Sequence, residues 1–448
     1  MLTISEAEDR ASSLVDAARK AGADAADALY IGDASTGVEV RLGALEDVQR
    51  SEGEEIGLRV FFGRRSATVS SSDLSRDALD ALVERAVAMA REAPEDPYAG
   101  LAPADRLARE EGPRIDGDDG ANPTPAQLKE RALAAEEAAR AVEGITNSEG
   151  AGASAGRSVV ALATSHGFCR GYTGSGYNNH VSVIAGSGGD MQRDSASHSA
   201  RHFADLDPPE RLGLLAAERT IKRLNPTKLP SGTMPVIFDP RVGGGLLGHL
   251  IGAIAGNAIA RRTSFLLDKL GELVFPSGIV VRDDPHRPRG LRSRPFDGEG
   301  VVTRPVDIIA DGRLTSWLLD SASARQLGLD PTGHAARGIS GAPGVSATNL
   351  DLLPGLLSKD ELIGEVERGF YVTELIGQGV SLVTGDYSRG ASGFIIDKGE
   401  LGAPVAEVTI AANLIDMFRS LTPASDLEHR RAVNVPTLRI EGMTIAGA

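Results

Sequence analysis

One cysteine in 448 residues, Cys169, leaves no internal disulfide to form. That usage fits a reducing compartment, and the cytoplasm is the expected location. Aromatic residues make up 4%, with a single tryptophan, so the core must come largely from Val, Leu, Ile and Ala. Positive charge is scarce: 47 Lys and Arg face 62 Asp and Glu, a formal net charge of -15. With no basic stripe, nucleic-acid binding is not expected. No apolar run approaches the roughly 20 residues of a membrane-spanning helix, so no membrane partner is expected either. The first ten residues, M-L-T-I-S-E-A-E-D-R, have neither a basic start nor an apolar segment, and no signal peptide is read there. What the sequence does have is glycine, 53 in all, the composition of a chain rich in turns.

The length points to two domains. Asn225–Gly232 (N-P-T-K-L-P-S-G) is the best boundary, giving an N-terminal domain over 1–225 and a C-terminal one over 226–448. The first alternates helix and strand in an α+β pattern. A helix is predicted over 4–21 with Ser5 as N-cap, then strands 26–31 and 37–42. A hairpin follows over 55–62 and 65–70, turning at Gly63. Ser72-Asp73 caps a second helix over 74–93. Residues 94–125, rich in Pro, Gly, Asp and Ala, read as a loop. A third helix spans 126–143 and stops at Gly144. Strands with glycine turns occupy 145–204, and a helix covers 209–224. The second domain reads as strands and turns around one central helix, 243–262.

That helix organises the second half. Leu246, Leu247, Leu250, Ile251, Ile254, Ala258 and Ile259 recur at helical spacing. Gly243, Gly244, Gly245, Gly248, Gly252 and Gly256 are dense in or beside it. Each costs a helix about 1 kcal/mol relative to Ala, and the usual reason is close approach of a backbone or ligand. The glycine triplet after a strand also fits an anion site at a helix N-terminus. Against that, no Lys-Ser/Thr of a phosphate loop follows, so the commoner reading is glycines that let a chain pass close. His249 has two readings: a hydrogen-bonded core histidine, which is the commoner, or a functional group. Zinc needs three or four N, S or O donors, and Gly248 and Ala253 supply none. His198 and His202 stand i, i+4, but in a context read as strand or loop and without a third donor. Gly174-Ser175-Gly176 reads as a turn rather than a nucleophile elbow. The polar run Thr384–Gly390 is either a structured turn with an Asp386–Arg389 contact or a set of hydrogen-bonding groups for a substrate backbone.

The central helix with its flanks resembles that of the TldD/PmbA family, on the PmbA (TldE) branch. The resemblance covers nearly the whole chain. Its most specific stretches are Tyr371-Val-Thr-Glu-Leu-Ile-Gly-Gln-Gly-Val, Thr384-Gly-Asp-Tyr-Ser-Arg-Gly-Ala-Ser-Gly-Phe and Ile440-Glu-Gly-Met-Thr-Ile-Ala-Gly. In the zinc-bearing branch this helix carries Leu-Leu-His-Glu-x-x-Gly-His. Here the two motif histidines fall on Gly248 and Ala253, the glutamate falls on His249, and only Gly252 matches after Leu246-Leu247. The late cysteine ligand of that branch has no counterpart near Asn434–Leu438. The resemblance implies an α+β fold and a heterodimeric metallopeptidase acting on peptides and small unfolded proteins. Zinc would sit on the TldD-like partner, with no cofactor and no catalytic residue in this chain. Peptide substrate would lie extended along a sheet edge, and the candidate contacts are Gly244, Gly245, His249, Asp386, Tyr387 and Arg389. The alternative is a homodimer that holds peptides without cutting them; an independent hydrolase is a further rival. A link of this family to DNA gyrase is taken as indirect, given the acidic charge.

Overall fold

The computed structural model describes residues 1–109 and 112–447. Glu110 and Glu111, inside the predicted loop 94–125, and Ala448 lie outside the described residues.

The architecture is α+β, as expected. Six strands, β1 (Ala25–Arg41), β2 (Ala44–Phe62), β3 (Arg65–Ser71), β4 (Ile145–Thr164), β5 (Cys169–Ala185) and β6 (Gln192–Ala200), form one antiparallel sheet in the order β3-β2-β1-β4-β5-β6. Four helices lie on one face: α1 (Ile4–Lys20), α2 (Arg76–Glu92), α3 (Pro125–Arg140) and α4 (Pro209–Lys222). Strand alternation sorts the faces. Ala26, Ala28 and Tyr30 of β1 pack under α1 and α2, and Val38 and Val40 pack under α3 and α4. Leu29 points the other way, with Leu162, onto Phe168, Phe296 and Ile339.

Several predicted boundaries shift, the strands for tertiary reasons and the helix starts through local capping. The strands read at 26–31 and 37–42 are one strand. Gly32–Thr36 between them stay paired on both sides, for example Gly32 with Glu54 and with Val159; cross-strand pairing overrides weak local propensity. Gly174-Ser175-Gly176 is not a turn but the middle of β5, with Ser175 opposite Arg157. Helix α1 starts two residues earlier than Ser5 would cap it. Thr3 accepts from the Glu6 N–H while the Glu6 side chain bonds back to Thr3, a reciprocal cap. Helix α2 is preceded by Ser75, whose N–H donates to Asp73.

The C-terminal half holds a second six-stranded sheet. Its strands are β7 (Gly232–Phe238), β14 (Arg368–Val380), β15 (Asp386–Asp397), β16 (Glu400–Asn413), β17 (Thr422–Pro423) and β19 (Leu438–Ala446), in the order β16-β15-β14-β7-β19-β17. β16 also pairs with β19, so this sheet closes on itself. A five-stranded sheet, β10-β9-β8-β13-β18, is built from β8 (Val281–Asp283), β9 (Val306–Ala310), β10 (Arg313–Leu314), β13 (Leu350–Leu352) and β18 (Val433–Asn434). A two-residue ladder joins β11 (Ala335–Ala336) to β12 (Gly344–Val345), and short helices α7 (Ser321–Leu327), α8 (Lys359–Gly364) and α9 (Leu414–Arg419) fill the corners.

The predicted central helix 243–262 is two helices, α5 (Pro240–Ile254) and α6 (Gly256–Ala260). Between them Ala255 is extended, with φ -64 and ψ 132. Leu318 causes the break: its N–H donates to the Ile254 carbonyl and its carbonyl accepts from the Gly256 N–H. Two bonds to the Leu318 backbone replace the helix ladder there. A side chain at Gly256 would meet Ser323 Oγ at 2.3 Å, so only glycine lets α6 lie against α7. Leu246, Leu247, Leu250, Ala253 and Ile254 of α5 are buried in the main core of this half.

A buried ionic cluster joins the halves. Asp27 bonds Arg59 at 3.0 Å through Nε and Arg337 at 2.5 Å. Glu299 lies 3.8 Å from Arg59. Burial raises the Asp27 pKa, but the charges of Arg337 and Arg59 reverse that and hold it below the usual carboxylate range.

Candidate functional site

Helix α5 starts at Asp239, whose side chain accepts from the Arg241 N–H at 2.9 Å, with Pro240 at the first helical position. The glycine triplet lies inside the first turns of α5 rather than in a loop before it. The Asp239 carboxylate takes the Arg241 N–H, and its backbone carbonyl takes those of Val242 and Gly243. The anion reading at this helix end is therefore corrected: Asp239 supplies the negative charge that the helix end favours. Gly243 is the close approach, since a Cβ there would stand 2.9 Å from Val435 Cγ2, and Gly244 faces Val433 at 3.6 Å. Gly245 and Gly248 are exposed, and a Cβ at either meets nothing within 4 Å. α5 thus buries its leucines and presents bare backbone on the opposite face.

His249 lies beside that open face. Its ring packs edge-on against Tyr387, centroids 6.0 Å apart at 76°. It makes no hydrogen bond within the described residues, so the hydrogen-bonded core histidine is not what the structure shows. Burial, and then the charge of Arg389, push its pKa down, which keeps the imidazole neutral at pH 7. Tyr387 is buried, its hydroxyl pushed up to about 12 by burial. Arg389 donates Nε to the Ile376 carbonyl at 3.3 Å. His249, Tyr387 and Arg389 therefore come together. Asp386 does not join them. Strand alternation turns it to the other face of β15, where it accepts from Thr384 Oγ1 at 2.6 Å and Asn413 Nδ2 at 3.4 Å. Thr384–Gly390 is largely strand rather than a turn, and there is no Asp386–Arg389 contact, because residues three apart on a strand face opposite ways.

The edge of β14 completes the site. β14 pairs with β15 as far as Val380 opposite Tyr387, but with β7 only over Phe370–Val372. From Thr373 to Val380 its second edge has no strand partner among the described residues. Ile376 on this stretch is 60% exposed. A free edge carries unpaired N–H and C=O groups, the template for adding an extended chain.

These residues do not fit a zinc ion. The only donor on α5 is one imidazole. Ala253 is fully buried and Gly248 has no side chain. The nearest charge to His249 is a guanidinium, which disfavours a cation. Among the described residues, no group of three or more His, Cys, Asp and Glu is placed to hold a metal. His198 and His202 do not converge: His198 Nδ1 accepts from the Asp207 N–H at 3.0 Å, and His202 Nε2 faces the Asp116 carbonyl at 3.0 Å.

Sequence reasoning missed a cavity of about 1020 Å³ where the start of α5 faces β6 and α4. Its lining comes from stretches far apart in the chain, including Arg219, Arg241 and Arg431, so no local motif could reveal it.

A sheet bearing four helices, docked to a closing sheet whose glycine-faced helix lies beside an open strand edge, defines the class. Family profiles described as PmbA/TldA metallopeptidase match in three parts: domain 1 over residues 26–90, the central domain over 118–224 and the C-terminal domain over 231–447. The chain belongs to the PmbA/TldD metallopeptidase family. Its relatives put it on the PmbA (TldE) branch. Metalloprotease PmbA of Escherichia coli O157:H7 is 42% identical over 417 residues, 92% of this chain and 90% of that protein. A PmbA homologue of Haemophilus influenzae is 37% identical over 444 residues, covering 99% and 96%. A Bacteroides thetaiotaomicron crystal structure described as a candidate modulator of DNA gyrase superposes with TM-score 0.91 at 28% identity, covering 100% of both chains. TldE of Thermococcus kodakarensis shares the fold, with TM-score 0.87 at 21% identity over 97% and 99%. No helix among the described residues is long and apolar enough to cross a membrane.

Proposed function

We propose that this chain is the subunit without zinc of a two-chain metallopeptidase that processes peptides and small unfolded proteins. A TldD-like partner carries the metal and the catalytic groups. This chain completes the substrate channel with the free edge of β14, the open face of α5, and the His249, Tyr387 and Arg389 side chains. The observation that carries the reading is the unpaired stretch Thr373–Val380 beside exposed Gly245 and Gly248. Main-chain hydrogen bonds along such an edge hold a peptide with little regard to its side chains. The two ring nitrogens of His249 and the terminal nitrogens of Arg389, whose Nε is held by the Ile376 carbonyl, are available to orient it. No step of hydrolysis is assigned to this chain, because its donors do not fit a metal.

The test is reconstitution. The chain is purified alone, mixed with its TldD-like partner, and assayed for cleavage of unstructured peptides, with metal analysis of each chain. Cleavage is expected only in the mixture, with zinc on the partner. Peptide binding by a homodimer, with no cleavage in the mixture, would favour the alternative that this chain holds peptides without cutting them. Cleavage by this chain alone would overturn both readings.

A further inference from the structure

We infer that the cavity between β6, α4 and the start of α5 is a carboxylate-binding subsite, taking the C-terminal carboxylate or an acidic side chain of a bound peptide. The inference rests on the peptide reading above and adds to it a preference for charge and a place for it.

The argument is charge accounting in the cavity wall. Its central carboxylates are already committed. Asp194, 8% exposed, holds Arg241 at 2.9 Å and Arg223 at 3.5 Å. Asp239 caps α5, pairs with Arg241 at 3.2 Å and accepts from the Tyr371 hydroxyl at 2.8 Å. Glu374 is taken by Arg223, and Glu149 by Arg193 at 3.2 Å. Two guanidiniums in the same wall are left over. Arg219 donates only to the Ser195 carbonyl, at 3.0 Å, and Arg431 only to the Arg241 carbonyl, at 2.8 Å. Neither has a carboxylate partner among the described residues. A guanidinium carries five N–H donors in a planar fork, so each keeps most of its donors unused.

Like charges on one wall repel unless something compensates them. Burial, and then the charge of Arg241, pull both Arg219 and Arg431 below the ordinary guanidinium range, although Asp239, and for Arg219 also Asp194, act from a distance the other way. An incoming carboxylate would relieve this, and the fork geometry suits two parallel N–H···O bonds to it. The cavity adjoins the free edge of β14, because Thr373, Glu374 and Leu375 line both. A peptide laid along that edge can place one end, or a side chain near it, in the cavity. An overall charge of -15 would otherwise repel acidic peptides, so two guanidiniums without a carboxylate partner in a wall of otherwise paired charges have a purpose that bulk electrostatics does not serve.

The experiment is equilibrium binding by fluorescence anisotropy on the full chain, at low salt, with three labelled peptides of one sequence. The first has an amidated C-terminus and no acidic residue, the second is its free acid, and the third is the amide with one Glu. The free acid or the Glu peptide is expected to bind about tenfold to a hundredfold tighter than the neutral amide, the range of charge-assisted hydrogen bonds. Which of the two gains tells whether the terminus or the side chain is read. That gain should vanish in Arg219→Gln/Arg431→Gln and in 1 M salt, while the neutral peptide binds as before. Equal binding of all three peptides overturns the subsite and leaves the peptide reading standing. Retention of the gain in the double variant also overturns it. If no peptide binds, the peptide reading falls and the subsite with it. The salt and peptide series on the unaltered chain decide the matter even if the double variant does not fold.

Discussion

Replacing Asp27 by Asn should separate the two halves of the molecule. Asp27 is 2% exposed, on β1 of the N-terminal sheet, and Arg337 lies beyond α7 in the C-terminal half, its side chain 0% exposed. Asp27 takes two bonds from Arg59 and one from Arg337. Asparagine keeps the shape but loses the charge, and its amide presents N–H to a guanidinium that can only donate. Two buried cations then face Glu299, with Asp320 the further carboxylate acting on Arg59. Removing one partner of a buried ion pair costs about 3–5 kcal/mol, against the roughly 5–15 kcal/mol that holds a typical protein together.

Urea unfolding at pH 7, followed by both tryptophan fluorescence and circular dichroism, measures this. Trp317 reports on the C-terminal half and ellipticity on the whole. The variant should lose about 3–5 kcal/mol, and the two probes should cease to coincide as the halves unfold separately. Adding Arg337→Met should recover part of the loss, because it removes a charge left without its partner. The acid limb carries the same information. The Asp27 pKa is depressed in the folded state, so its contribution is present above the unfolded carboxyl value of about 3.9 and is lost as pH falls through the lower folded value. A loss below about 1 kcal/mol with coincident probes would refute the reasoning that this cluster latches the halves.

Three further outcomes are expected. The purified chain should hold no stoichiometric zinc by elemental analysis. Gly248→His/His249→Glu/Ala253→His should not gain metal-dependent peptidase activity, since no further ligand stands near and histidine at fully buried Ala253 overpacks the core by about 1–3 kcal/mol; robust cleavage by this triple variant would contradict the site as drawn. Asp297, fully buried, accepts from the N–H groups of Glu299, Val301 and Ala335, which favour its ionised form, but burial and the charge of Glu299 prevail and push it up to about 7. A raised carboxyl contributes most below its unfolded value and has lost that contribution once pH has risen through about 7, so stability should fall between about pH 4 and pH 7 by an amount on the order of 4 kcal/mol at most. Asp297→Asn should flatten that slope in urea unfolding at each pH.

The order of elements was legible because periodicity survives folding. The amphipathic pattern of α1, with Ala7, Ala11, Leu14, Val15 and Ala18 buried, is visible in the letters, as is the Asp311-Gly312 turn, where both residues take positive φ. What could not be read depends on distant backbone. The break at Ala255 exists because of Leu318, and the continuity of β1 through Gly32–Thr36 exists because of β2 and β4. The site divides the same way. Gly245, His249, Tyr387 and Arg389 were candidates from the central helix and a motif. The separation of Asp386 from them follows from a strand that the turn-like letters Thr-Gly-Asp-Tyr concealed. The cavity arginines were invisible, since Arg219 and Arg431 stand 212 positions apart and meet only through packing.

The glycines of α5 remain the strongest pointer to something outside this chain. Five lie within its 15 residues, each costing about 1 kcal/mol relative to Ala in a helix interior. Two are explained internally: Gly243 by Val435, and Gly252 by Leu382, whose Cδ1 would stand 2.8 Å from a Cβ. Gly244 has ordinary room beside Val433, while Gly245 and Gly248 face open space. Folding of this chain alone gives no reason for those two. Gly248→Ala should therefore stabilise the isolated chain by about 0.5–1 kcal/mol, measured by urea unfolding. If a peptide or a partner backbone lies on that face, Gly248→Trp should fold equally well and yet lower partner-dependent peptide cleavage tenfold or more. A Trp variant that folds and supports cleavage like the unaltered chain would show that the open face of α5 has no part in the channel, and the glycines would then need another cause.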